Sequence, residues 1–224
     1  MIKPQYVLSY NNTKRHANWV GWTLNPAWIG TAARQDDFRP DNTLPAGWYQ
    51  VKPSDYTNSG FDRGHLCPSA DRDIDIPTNS STFLMTNMIP QAPNNNRNTW
   101  ADLETYCRTL VAQGNECYIY AGTYGQGGTG SNGSANTVAA GKVNIPAQTW
   151  KIIVVLSQGN DDLKRVNSST RVIAVDMPNT QTINTDWRSY RTTVRNLESK
   201  TGYNFLSRVP QEIQNIIENA QDTL

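Results

Sequence analysis

Two short stretches hold the residue types that could do chemistry. The first is Asp62-Arg63-Gly64-His65, continued by Leu66-Cys67-Pro68. The chain has only two histidines, His16 and His65. An imidazole with an unperturbed pKa of about 6.5 is largely unprotonated near neutral pH and available as a general base. At a strand-to-loop corner, one ring nitrogen can be held by a backbone carbonyl while the other faces a water. Gly64 allows close approach of a substrate or an unusual backbone angle. The second stretch is Asn94-Asn95-Asn96-Arg97-Asn98-Thr99-Trp100-Ala101-Asp102-Leu103-Glu104. On one α-helix, Asn96 and Glu104 would lie roughly 12 Å apart along the axis and about 80° apart around it. Magnesium keeps most of its waters and needs few protein ligands, so Asn96 could bind it directly and Glu104 through water. A base beside a hard-cation site suggests a metal-dependent enzyme that cuts phosphodiesters.

Each signal alone has an ordinary explanation. A lone histidine is more often structural than catalytic. A helix face bearing Glu104 and Arg108 at i,i+4 is more often a solvated ion-paired surface. Arg34, Arg63, Arg97 and Arg108 could bind phosphate bidentately, although a single surface arginine is usually just solvated. Asp62 could orient His65 or water, or pair with Arg63 or Arg72.

The surrounding pattern tells which elements position these groups. Residues 5–10 alternate and read as a strand, as does His16 to about Leu24. Residues 30–47 are a turn-rich loop holding Arg34 and Arg39. Gly60 to His65 reads as a short strand entering a loop, and Pro68 to Asn79, with its acidic residues, as a surface loop. After a helical turn from Ser80, Phe83 to Ile89 reads as a second short strand. A helix follows, capped by Asn98 or Thr99, with Leu103, Tyr106, Leu110 and Val111 as its apolar stripe and Gln113-Gly114 as its end. Cys117 to Gly122, Thr149 to Ser157 and Arg171 to Met177 are further strands. Gly125 to Asn136 lacks core-forming residues and reads as a mobile loop. Asp186 should cap a helix running to about Lys200 and stopped by Gly202. Pro210 fits the first position of a last helix whose Ile213, Ile216 and Ile217 face inward.

Bulk properties narrow the function classes. The 224 residues fit one compact α+β unit, and 37% hydrophobic residues with 21 aromatics suffice for a core. Net charge is +1, and between Arg34 and Arg108 seven Lys/Arg face ten Asp/Glu, a balance of −3. That is not the basic stripe of a tight DNA-binding module, but it suits an enzyme that releases product and recruits a divalent cation. Cys67, Cys107 and Cys117 follow no zinc spacing, and their odd number leaves one thiol free in a monomer. There is no apolar signal-peptide core and no 18-residue apolar run, so no membrane partner is expected.

Taken together, the motifs resemble the DNA/RNA non-specific endonucleases of the ββα-metal, or His-Me finger, superfamily. Asp62-Arg63-Gly64-His65 with Pro68-Ser69-Ala70-Asp71 resembles the family signature. Thr86-Asn87-Met88-Ile89-Pro90-Gln91, and Asn96 followed by Glu104, resemble its downstream motif in order and spacing. Ala33-Arg34 to Phe38-Arg39-Pro40-Asp41 is similar to its upstream arginine segment. The likeness continues to Trp150-Lys151 and the region from Leu197 to Phe205, so it covers nearly the whole chain. It is greatest to the cyanobacterial-type, sugar-non-specific branch.

The resemblance implies a single domain over 1–224, with the ββα-metal motif at about 60–112. The implied fold is a central antiparallel sheet flanked by helices on both faces. It implies Mg2+-dependent hydrolysis of DNA and RNA to 5′-phosphate ends, with Mn2+ able to substitute. His65 would be the general base, Asn96 the direct metal ligand and Glu104 a ligand through water. Arg34 would stabilise the charged phosphorus centre, and Arg63 and Arg97 would bind substrate. Arg108 would fix phosphate or the Glu104 carboxylate, and Asp62 would play a supporting part. Secretion or a periplasmic location, and control by a protein inhibitor, are further implications. Cys67 occupies a slot where a small or aliphatic residue is more usual, so it should be dispensable, yet a thiol beside the base is expected to make activity sensitive to thiol reagents. A narrower phosphodiesterase and a catalytically silent nucleic-acid-binding or toxin-neutralising module remain the competing readings.

Overall fold

The computed structural model describes residues 1–223. The alternating N-terminal segments form β1 (Val7–Asn11) and β2 (His16–Leu24), which pair antiparallel. Two short strands, β3 (Asp62–His65) and β4 (Met88–Gln91), make a separate antiparallel ribbon in which His65 lies opposite Met88. Between them lies the short helix α1 (Ile76–Ser81), started by the Asp75 side chain accepting from Thr78 N–H. After β4 come a π-helical turn (Asn95–Trp100) and the helix α2 (Ala101–Ala112). The chain then supplies β5 (Asn115–Tyr124), a hairpin of β6 (Gly128–Gly130) and β7 (Gly133–Ala135), and a pair of β8 (Thr137–Val138) and β9 (Val143–Asn144). It continues with β10 (Gln148–Ser157), α3 (Asp162–Arg165), β11 (Arg171–Pro178), β12 (Arg191–Thr192), α4 (Val194–Thr201) and α5 (Gln211–Ile217).

The main sheet has six antiparallel strands in the order β1-β2-β5-β10-β11-β12. Side chains alternate faces along a strand, and β10 shows what that does here. Ile153 joins the core cluster under α2, where Leu103, Cys107, Leu110 and Val111 pack. Trp150, Ile152, Val154 and Leu156 join the opposite cluster, with Val194, Leu197 and Ile217 from α4 and α5. The expected α+β architecture, with helices on both faces, is therefore the observed one. No helix among the described residues is long and apolar enough to cross a membrane.

Several local expectations are corrected. The segment 68–79 is only partly a surface loop: residues 74–77 are exposed, but Asp71 and Arg72 are each 1% exposed. Trp22 and Arg108 satisfy the Asp71 carboxylate, and the Arg72 guanidinium donates to the carbonyls of Gln5, Asp71 and Thr23. The second short strand begins only at Met88, because Met85–Asn87 turns as a 3-10 helix. The α2 helix follows directly on the π-helical turn and starts at Ala101, with no side-chain cap at Asn98 or Thr99, and Cys107 rather than Tyr106 completes its buried stripe. The Gly-rich stretch forms the β6–β7 hairpin, pinned by Ser131 N–H and the Asn132 amide donating to the carbonyls of Gly60 and Asn58. Asp186 caps only a 3-10 turn (Trp187–Tyr190), and a fresh cap at Thr193 starts α4, which ends at a left-handed Gly202. In α5 Ile217 is buried but Ile216 is 52% exposed.

Candidate active site

The β3–β4 ribbon places His65 at the end of a strand. The following residues are stapled down by Asn87, whose side chain accepts from Cys67 N–H (3.0 Å) and donates to Cys67 O (2.8 Å) and Thr82 O (2.9 Å). Gly64 has no positive φ, and a Cβ there would overlap the side chain of Gln91 on β4. Glycine is thus required for ribbon packing rather than for substrate approach. The thiol of Cys67 is fully buried and pushed up to about 12, chiefly by that burial. A buried, protonated thiol does not react with thiol reagents, so the expected sensitivity has no structural basis.

His65 is 8% exposed. It is held by aromatic rings rather than by the carbonyl expected from sequence. Phe83 meets it edge-on at 4.9 Å between centroids, Phe38 lies at 5.6 Å, and Nε2 is buried without a hydrogen-bond partner. Burial, then the Arg34 and Arg63 guanidiniums, push its pKa down to about 3. The imidazole is therefore neutral across the whole physiological range. The other histidine is structural: His16 is fully buried, its Nδ1 against Ala17 O and its Nε2 against Asn144 Oδ1.

A cavity of about 320 Å³ is lined by residues that include Arg34, Phe38, Tyr56, Asp62, Arg63 and Asn96, with His65 behind Phe38 and neither His65 nor Glu104 in the lining. Arg34 donates to Asp36 (2.7 Å) and Ser69 Oγ (2.9 Å) and lies over Phe83, and Arg63 lies 4.3 Å from the Phe38 centroid. Asp62 contacts neither His65, Arg63 nor Arg72. It accepts from Asn96 Nδ2 (2.9 Å) and, bidentately, from Arg97 (2.8 and 2.7 Å). That bond fixes which way the Asn96 amide points: nitrogen to Asp62, oxygen away from it. Arg97 is 67% exposed at its side chain and engages Asp62 rather than the cavity. A larger, apolar cleft of about 660 Å³, lined by Trp19, Tyr120 and Phe205, contains none of these residues.

Glu104 lies one helix stretch beyond Asn96. An α-helix would offset the two by about 80°. The π-helical turn between them advances less per residue and brings them nearer one face, the kind of local widening found at functional sites. Arg108 does not pair with Glu104. It donates to Asp71 Oδ1 (2.9 Å) and Thr105 Oγ1 (3.0 Å). The cation beside Glu104 is instead Lys151 on β10, with Nζ 3.5 Å from Oε1. Burial raises the Glu104 pKa, the Lys151 charge lowers it, and Asp71 raises it again.

Could these residues hold a metal? No group of three or more His, Cys, Asp and Glu side chains is assembled for one among the described residues. That excludes a zinc-type cage built from such ligands. What remains is a fixed amide oxygen on Asn96 and a Glu104 carboxylate whose Oε1 faces Lys151 and whose Oε2 has no protein donor among the described residues. A sparse, all-oxygen set fits a hard divalent cation that keeps most of its waters.

Sequence reasoning assigned no role to Lys151, Asp71, Phe38, Phe83 or Trp100. A lysine inside the run Trp150-Lys151-Ile152-Ile153-Val154 is a visible anomaly in sequence, whereas the two phenylalanines give no such signal.

Comparison with known proteins identifies the family. The family model for DNA/RNA non-specific endonucleases matches residues 1–212. A nuclease from Nostoc is 55% identical over 99% of this chain and 78% of its own length. Human mitochondrial endonuclease G is 31% identical over 70% of this chain, a match spanning only 54% of that protein. Nuclease C1 of Cunninghamella echinulata is 34% identical over 68% of this chain and 64% of its own length. Among solved structures, endonuclease G in its complex with EndoGI superimposes with a TM-score of 0.78 at 24% identity, covering 95% of this chain and 87% of that one. Nucleases of this kind depend on a divalent metal. A family match over nearly the whole length and a relative sharing more than half its residues lead to one conclusion: the chain belongs to the DNA/RNA non-specific endonucleases, hydrolases of phosphodiester bonds.

Proposed function

We propose that the protein hydrolyses DNA and RNA with Mg2+, or Mn2+ in its place, leaving 5′-phosphate ends. The observation that carries this reading is a cleft lined by two guanidiniums and an amide locked by Asp62, with the neutral His65 imidazole packed against the cleft-lining Phe38. A bound divalent cation, held directly by the Asn96 oxygen and through water by Glu104, would supply Lewis-acid charge at the phosphate. His65 accepts a proton from water as that water attacks phosphorus, and the P–O3′ bond breaks with its electrons on the 3′ oxygen. Arg34 and Arg63, which line the cleft, would stabilise the charge that develops on the phosphoryl oxygens. The 3′ oxygen takes its proton from solvent, since His16 is buried elsewhere.

The depressed His65 value belongs to the protein without substrate. A phosphodiester anion between Arg34 and Arg63 offsets their repulsion and raises the imidazole towards a useful base, while burial still holds it below 6.5. Attack by external water does not need the ribose 2′-OH, which supports indifference to the sugar. Secretion or a periplasmic location rests on the family resemblance. A protein inhibitor is a reasonable partner because the solved relative is itself in an inhibitory complex.

The deciding experiment incubates plasmid and RNA with wild type and H65A, with Mg2+ or with EDTA. Both polymers should be cut to 5′-phosphates, EDTA should stop cleavage, and H65A should lose about 10²–10⁴-fold. A 2′,3′-cyclic phosphate from RNA, refusal of either polymer, or cleavage in EDTA would overturn the proposal.

A further inference from the structure

We infer that Lys151 is a positioning residue for hydrolysis, acting through Glu104; this rests on the role proposed above for Glu104. Lys151 stands in the middle of β10, opposite Ala121 on β5 and Val175 on β11, and is 1% exposed. A charge in that position is costly unless it is paired. Its ion-pair partner is Glu104, at 3.5 Å, and it also faces the rings of Trp100 at 4.0 Å and Trp22 at 5.9 Å.

The other charges nearby cannot substitute for it. Asp71 is 1% exposed and holds Arg108 through one oxygen and Trp22 Nε1 through the other. The Asp71 and Arg108 charges thus offset each other, and the Glu104 carboxylate is left to Lys151. The pairing is also directional. Oε1, the buried oxygen, points at Lys151 Nζ, which leaves Oε2 as the outer oxygen.

Trp100 ties this arrangement to the other half of the site. Its ring carries the ammonium on its face while its indole N–H donates to the His65 carbonyl (3.2 Å). One rigid platform thus sets both the carboxylate and the strand end that bears the imidazole. If Lys151 served folding alone, an apolar side chain would fill this sheet interior at least as well.

The test compares wild type, K151M, E104Q and K151M/E104Q in kcat, KM and melting temperature. K151M should lower kcat by about 10–100-fold, as for groups that orient a metal's partners, with KM within about twofold. It should melt below wild type, and the double variant should regain that loss, because E104Q removes the unpaired buried charge. The double variant should be no slower than E104Q, since residues that act as one unit are not additive. A further tenfold loss on adding K151M to E104Q, or a wild-type kcat in K151M, overturns the inference alone. E104Q at the wild-type rate overturns the proposed role of Glu104 and this inference with it. Should K151M alone not fold, comparing E104Q with the double variant decides: equal rates support the inference and a further loss refutes it.

Discussion

Replacing Asp62 by alanine removes one acceptor that three donors share, and the donors are unequal. The Arg97 pair is short but sits on a side chain that is 67% exposed. Pairs in that setting are worth at most about 1 kcal/mol. The Asn96 bond matters more, because without it the amide can turn over and present NH2 where the proposed cation needs oxygen. A hydrogen bond to a charged acceptor is worth about 1.5–3 kcal/mol. Because Asp62 is itself 18% exposed, solvent screening discounts that range to about 1–2 kcal/mol. At 1.4 kcal/mol per tenfold, this is roughly a 5–30-fold loss of productive metal binding. D62A should therefore need several-fold more Mg2+ for half-maximal cleavage and recover much of its rate at high Mg2+. R97A, which leaves the Asn96 bond intact, should stay within about threefold of wild type. The assay is the rate on one DNA substrate across a Mg2+ titration, with Mn2+ binding measured by calorimetry. If D62A binds metal as wild type does and is nonetheless inactive, Asp62 acts on substrate or base and the reasoning fails.

Three further outcomes follow from the same geometry. Asn96→Ala should cost orders of magnitude that added metal does not restore, while Glu104→Ala should cost about 10–100-fold and be partly rescued by excess Mg2+ or Mn2+; the reverse ranking would invert the ligand assignment. The His65 imidazole, measured by NMR in the metal-free protein, should titrate far below 6.5, and Arg63→Ala should raise its midpoint by removing a neighbouring positive charge; an ordinary midpoint in wild type would contradict the buried setting. Cys67→Ala should keep near-wild-type activity, and thiol reagents should leave the folded wild type active, as checked by mass measurement of the treated protein beside its rate.

What could be read in the chain beforehand divides by distance along it. Five of the six main-sheet strands were legible because a strand pattern is a local property, whereas β12 lies inside the stretch read as a helix, and α2 was legible from its apolar stripe. The site residues were legible as types, but not their pairings. Arg108 stands four residues after Glu104, the spacing of a helical ion pair, yet it turns to Asp71. The reason is burial: a carboxylate that is 1% exposed requires donors, whereas Glu104 has Lys151 beneath it. Asp62 and Arg63, adjacent in sequence, lie on a strand whose side chains alternate. One reaches Arg97 and Asn96 while the other lies over Phe38. That alternation could have excluded the Asp62–Arg63 pair from sequence alone.

The π-helical turn could not have been anticipated in that way. Nothing in Asn95-Asn96-Arg97-Asn98-Thr99-Trp100 demands a wider turn. Its anchors come from distant segments. Asn94 is bound to Gln181, and the buried Asn95 amide donates to Thr149 Oγ1 and Pro178 O. Thr99 donates to Asn184 O, and the Trp100 indole N–H to His65 O. These contacts fix both ends of the turn independently of helical periodicity, and the backbone between them takes up the mismatch by widening. The same anchors hold Asn96 beside Asp62 and Trp100 above Lys151. The turn that breaks the regular helix is thus what lets one segment serve the cleft at Asn96 and the buried pair at Glu104 together.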